Sequence, residues 1–172
     1  MIIGMAKSDS FFIRADIRDV NPFTQTAIDL GAYVDALGKS VLRIHNIQVQ
    51  YVFGNFNNPT LGSANTEACA RWQLTTQSQT AMQLATNKSL ISSGSFLAST
   101  QASGSSVTFA SEKMDMNPQH WTQGYLVGVE QIYLAGTAGS NFEVPPTICV
   151  VLECTVETLS QSGAMALALS QQ

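Results

Sequence analysis

The sequence predicts an all-β fold, an antiparallel sandwich of about eight strands in the jelly-roll arrangement. Three observations carry this. Apolar residues recur at every second position in segment after segment, which is the period of a pleated strand with one buried face. Asn, Gly, Pro and Ser clusters separate these segments at intervals of 10–20 residues, as turns do. No stretch carries the long 3.6-residue pattern of an amphipathic helix. Short strands and frequent turns match a sandwich or jelly roll.

The elements follow in order. Phe11, Ile13, Ala15 and Ile17 alternate with Phe12, Arg14, Asp16 and Arg18, giving a strand over 10–18 that Asn21-Pro22 punctuates. Residues 27–34 read as a weaker extended segment, and 35–39 as a turn. The clearest strand spans 41–53. Leu42 and Ile44 share one face, but after His45-Asn46 the apolar set becomes Ile47, Val49, Tyr51 and Phe53. The parity flips, so a β-bulge or a change of sheet is expected at His45. Residues 54–65 are a loop. Ala70, Trp72, Leu74 and Thr76 define a strand over 69–76, and 80–86 is strand or a helical turn. Residues 92–106, rich in Ser and Gly, read as a hairpin region or surface loop, with a short strand at Val107 and Phe109. Residues 124–134 are apolar on both faces and read as one central strand. Ile148, Val150, Leu152, Cys154 and Val156 make the last strand, over 147–157. Residues 159–169 are a tail of small and apolar residues, a short helix or an interface strand. Within residues 1–172 there is no repeat and no linker, so one domain is expected, with 1–9 and 159–172 as terminal segments.

Composition narrows the function. Only 12% of the 172 residues are charged, against about 25% in typical domains. Ser, Thr, Gln and Asn fill about a third of the chain. Such a surface is stripped of water at low cost, so the composition favours large contact surfaces. The net charge is −4 with no run of Lys or Arg. Direct nucleic-acid binding is not expected, because it draws on many basic phosphate contacts. Residues 1–5 are too short for a secretory apolar core. No apolar run approaches the roughly 20 residues of a membrane span. The chain is therefore expected to be made inside the cell. Cys69, Cys149 and Cys154 are odd in number and irregularly spaced, hence free thiols or small apolar residues. Cys149 and Cys154 are expected on opposite strand faces.

No catalytic constellation emerges, and no enzyme, cofactor or metal site is expected. Residues 35–40 end like a phosphate-binding loop, but Tyr33 stands where that loop needs its first Gly, and a strand follows instead of a helix. His45, with Arg43 on the same face, reads as a structural histidine. His120 and Asp115 are two potential ligands, too few for a metal site. The acidic residues are scattered, and no Gly-x-Ser-x-Gly elbow occurs. Trp72, Trp121, Tyr125 and Tyr133 read as core. On an alternative reading, Trp72, Trp121 and Tyr125 face a carbohydrate and the chain is a binding or attachment module. A cupin-like enzyme would need a His/Glu metal cluster that two histidines hardly supply. In the tail, Met165, Leu167 and Leu169 sit at spacing two with Ala164, Ala166 and Ala168 between them. As an extended segment the tail would present the three larger side chains on one side, as assembly contacts.

From Ser10 to Phe53 the sequence resembles single jelly-roll capsid proteins of non-enveloped icosahedral viruses. The resemblance lies in Phe11-Phe12-Ile13-Arg14-Ala15, in Ile28-Asp29-Leu30-Gly31, and in the run from Leu42 to Tyr51. It covers about a quarter of the chain. It implies a coat subunit that assembles with copies of itself and with other virion proteins, made in the host cytoplasm and located in the virion. Simple RNA-virus coats commonly carry a basic arm, which this chain lacks. One subgroup builds membrane-containing double-stranded DNA virions from upright single jelly rolls; such shells need no basic arm on the coat protein, which suits the acidic charge of this chain.

Overall fold

A computed structural model describes residues 7–172, apart from 36, 38, 103 and 105. The expectations for residues 1–6, and for parts of the 35–39 turn and the Gly104-Ser105 loop, lie outside the described residues. The strands are β1 (Phe11–Ile17), β2 (Thr24–Asp29), β3 (Ser40–Val52), β4 (Glu67–Thr75), β5 (Leu90–Thr100), β6 (Val107–Met116), β7 (Tyr125–Val127), β8 (Gln131–Ala138) and β9 (Thr147–Thr158). A 3-10 turn, Pro118–His120, lies between β6 and β7, and a helix, α1 (Gln161–Gln171), closes the chain.

The strands form two antiparallel sheets, ordered β1-β9-β3-β7 and β2-β8-β4-β5-β6. Leaving β6 aside, the pairs β1·β9, β2·β8, β3·β7 and β4·β5 are nested one inside the next. A chain paired in this way is one long hairpin rolled around a core, which is a jelly roll. The ninth strand, β6, pairs with β5 alone and extends the second sheet by one edge. It contains the short strand expected at Val107 and Phe109 and lies outside the eight nested strands.

The core lies between the sheets. Leu42, Ile44, Ile47 and Leu152 enter it from the first sheet, and Trp72, Leu74, Ile91 and Leu134 from the second, all with no exposed surface. Burial of each such side chain contributes about 1.5–3 kcal/mol. The parity flip in β3 is a bulge. Ile44 pairs with Cys154 and Asn46 with Glu153, so His45 is the extra residue.

One expectation is corrected and two open alternatives are decided. Residues 124–134 are two strands, not one central strand. Tyr125 and Val127 stand opposite Ile44 and Leu42 on the inner face of the first sheet. The chain then crosses to the second sheet, where Ile132 and Leu134 point inward. The inward parity changes from odd to even at the crossing, and this made both faces look apolar. Residues 92–106 are the hairpin region, not a surface loop: they hold most of β5 and the turn into β6. Gly94 within β5 has a packing cause. A Cβ on Gly94 would lie 2.6 Å from the Trp72 indole nitrogen, so only glycine lets the ring pass beneath. Finally, the tail is helical and not extended. The Ser160 hydroxyl accepts a hydrogen bond from the Gly163 amide at 3.1 Å and caps its start. Residues 80–86, read as strand or helical turn, form irregular turns.

Candidate functional site

The outer face of the first sheet carries the most developed surface feature. Outward residues of β3 and β9 alternate with the core set, which puts Arg43, His45 and Asn46 beside Glu153, Thr155 and Glu157. Arg43 grips Glu157 with two hydrogen bonds, Nε to Oε1 at 2.6 Å and Nη2 to Oε2 at 2.8 Å. Glu157 is only 6% exposed. A carboxylate so far from water persists because a planar guanidinium meets both of its oxygens. These bonds hold the Glu157 carboxyl below its usual range. Lys7 adds a weaker contact, with Nζ 3.8 Å from Oε1. His45 shares a 2.8 Å hydrogen bond between Nε2 and the Thr155 hydroxyl. Burial, with Lys7 and Arg43 nearby, lowers its pKa and favours the neutral ring.

Above this polar floor runs the segment 117–124, which carries the chain from β6 to β7. It is mounted firmly. The Gln119 side chain accepts from the Ile47 amide at 3.2 Å and donates to the Ile47 carbonyl at 3.1 Å, taking the place of a missing strand beside the bulge. Arg43 Nη1 donates to the Gln123 carbonyl at 2.6 Å. Gly124 adopts a positive φ of 67° with its backbone against the Ile44 carbonyl, a position no side chain can share. Floor and segment together enclose an open depression of about 620 Å³, lined by Lys7, Arg43, His45, Asn46, Glu157 and residues 119 and 121–124. Trp121 stands there 51% exposed.

The aromatics considered as ligand-facing are not brought together. Trp72 is in the core with no exposed surface. Tyr125 faces inward and packs against the core, and burial raises its phenol pKa. Trp121 alone of the three lines the depression. His120 and Asp115 are exposed, and Asp115 faces Lys113 at 3.5 Å. Among the described residues, no group of three His, Cys, Asp or Glu side chains stands ready to hold a metal. The cysteines are unpaired. Cys154 is buried, and burial pushes its thiol up to about 12. Cys149 lies on the opposite, outer face.

The second feature is α1. Helical geometry separates the three tail residues that an extended chain would align. Ala164 and Ala168 are buried, Leu167 packs over Gly128, and Met165 and Leu169 point away at 43% and 69% exposure. Gln171 fastens the helix. Its carboxamide accepts from the Gly128 amide and donates to the Leu126 carbonyl, both at 2.7 Å, and so covers the edge of β7. Gln73 does the same for the 81–83 loop. Part of the glutamine-rich composition is thus used inside the fold, as carboxamides standing in for backbone.

The fold defines the chain as an antiparallel jelly-roll protein, and the comparisons place viral capsid proteins beside it. No family model matches the chain, and no curated protein matches it. Among solved structures, the VP1 pentamer of Washington University polyomavirus matches with a TM-score of 0.51 at 7% identity, covering 91% of this chain and 98% of that one. Desmodium yellow mottle tymovirus matches at 0.41 and 6% identity, covering 90% and 88%. Cocksfoot mottle virus matches at 0.34 and 10%, covering 95% and 90%. The VP1 match bears on the fold alone, which is the jelly roll that the resemblance of residues 10–53 implied.

Proposed function

We propose that this protein is a virion structural protein, a capsid subunit that assembles with copies of itself into an icosahedral shell and contacts other virion proteins there. On this reading residues 1–172 act as one structural unit, catalyse no reaction and do not contact the genome directly. The observation that carries it is the nested strand order, with the fold likeness to VP1 beside it. Two further features support it. Phe12, Phe56, Leu84, Phe109 and Leu169 are each more than half exposed, and burial against neighbours would remove that surface from water. The outer face of α1 offers Met165 and Leu169 one turn apart, with no charged residue in the helix; these two are the proposed assembly contacts, and Leu167 holds the helix to its own domain.

Electron microscopy of the purified protein tests the reading. Shells or regular oligomers are expected. A chain that stays monomeric at high concentration, across salt and pH, overturns it. The double variant Met165→Glu, Leu169→Glu tests the contacts. It should melt as the parent does and fail to assemble, whereas assembly at parental efficiency removes α1 from the interface. Point variants are cleaner than deleting 161–172, because deletion also uncovers the β7 edge that Gln171 closes.

A further inference from the structure

The depression over Arg43 and Glu157 is built more firmly than a chance hollow. An indole held half in water sacrifices apolar burial, yet Trp121 is kept there by a segment fixed at Gln119, Gln123 and Gly124. The charges beneath it are mostly settled. Arg43 is neutralised by Glu157, and the surroundings of His45 favour its uncharged form. Hydrogen-bonding capacity remains at the rim. Among the described residues, the Thr122 hydroxyl and the Gln123 carboxamide make no hydrogen bond, and the Asn46 carboxamide uses its nitrogen, on Glu153, and leaves its oxygen. Lys7 is the remaining cation, half exposed. The lining is thus one half-exposed indole beside neutral groups that both donate and accept.

We infer that this depression is a carbohydrate-binding site, in which a pyranose ring stacks its C–H face on the Trp121 indole and hydrogen-bonds its hydroxyls to Asn46, Thr122 and Gln123. A pyranose has this same division: an apolar face of C–H groups and a rim of hydroxyls that donate and accept. Amides and hydroxyls pair with it without burying a charge, and a mounted aromatic costs little entropy on binding. The volume of about 620 Å³ falls within the roughly 300–1,000 Å³ of small-molecule sites. A nucleotide also stacks on indole, but its phosphates would find one net positive charge, because Glu157 offsets one of the two cations Arg43 and Lys7. The inference goes beyond the proposed role in a shell and does not rest on it, since every residue named in the site belongs to one chain.

The chain supplies its own reporter. Of its two tryptophans, Trp72 is fully buried and Trp121 half exposed, so acrylamide quenching reads Trp121. The full-length protein is titrated with maltose, lactose, diacetylchitobiose and, as the competing class, AMP. At saturation at least one sugar should lower the quenching constant by twofold or more, while AMP leaves it unchanged. Thr122→Val and Gln123→Leu should each weaken that sugar's affinity by roughly three- to tenfold, the loss of one hydrogen bond, with unchanged melting. Trp121→Ala should abolish the heat of binding in calorimetry, and Trp121→Phe should retain part of it. The inference is overturned if no sugar protects Trp121, if AMP protects it as well or better, or if the Thr122 and Gln123 variants bind as the parent does.

Discussion

Replacing Glu157 by Gln keeps the volume of the side chain and removes its charge. Arg43, whose side chain is 15% exposed, then faces an amide that offers one acceptor where the carboxylate offered two. Removing one partner of a buried ion pair costs roughly 3–5 kcal/mol, because the other charge is left without compensation. Arg43 keeps its bond to the Gln123 carbonyl, so the lower figure, about 3 kcal/mol, applies. For a chain of this size each kcal/mol moves Tm by about 2–4 °C, and Glu157→Gln should melt about 6–12 °C below the parent at neutral pH. The pH dependence has a definite sign. The folded carboxyl is held below its unfolded value, so its contribution is complete above the unfolded value of about 4.3 and declines as pH falls toward the folded one. The gap between parent and variant should be constant near neutrality and narrow in acid. Calorimetric melts across pH measure it. A variant within 2 °C of the parent at pH ~7, against the 6 °C or more expected, would falsify the account, as would a gap that does not narrow below pH ~4. Arg43→Met with Glu157→Leu, which removes both charges, should recover most of the loss.

Other outcomes follow from single contacts. Gly124→Ala drives a methyl group into the Ile44 carbonyl at a positive φ; a loss of about 2 kcal/mol or more in urea melts is expected, and parental stability would contradict the backbone described. Gln171→Ala strands the Gly128 amide and Leu126 carbonyl at about 1–3 kcal/mol, so hydrogen exchange at Gly128 should accelerate and α1 become protease-sensitive; an unchanged Gly128 rate would show that the carboxamide does not close the edge. Cys154, buried and with its thiol pushed up to about 12, should resist iodoacetamide at pH 8 while the protein is folded. Cys69 and Cys149, both partly exposed, should label first, and labelling of Cys154 at a comparable rate would be inconsistent with its burial.

The candidate site was less legible than the fold. His45 and Arg43 were visible as neighbours on one strand face, and Trp121 as an aromatic at a turn. Glu157, the partner that gives Arg43 its role, lies 114 residues away. The available signal was that Arg43 is the single Lys, Arg, Asp or Glu of its long strand and that Glu157 is one of two on the other. The use of Gln119 and Gln171 as substitutes for a strand left no signal, because a glutamine bonding backbone and a glutamine in water have the same local sequence. The tail shows the opposite failure. Spacing two in Met165, Leu167 and Leu169 is the strand period, yet Ala164 and Ala168, four apart, are what the helix buries.

By itself the sequence determined β1, β3, β4 and β9 and the parity flip at His45, because a pleated strand writes its buried face into every second residue and a local irregularity shifts that parity. Tertiary structure alone decided which strands pair, that the flip at His45 is a bulge, that 124–134 splits between two sheets, that Gly94 makes room for Trp72, and that Arg43 and Glu157 meet beside Trp121. Each of these depends on a contact between segments far apart in the chain. The pleat constrains which way a side chain points, and only the packed fold fixes what it meets.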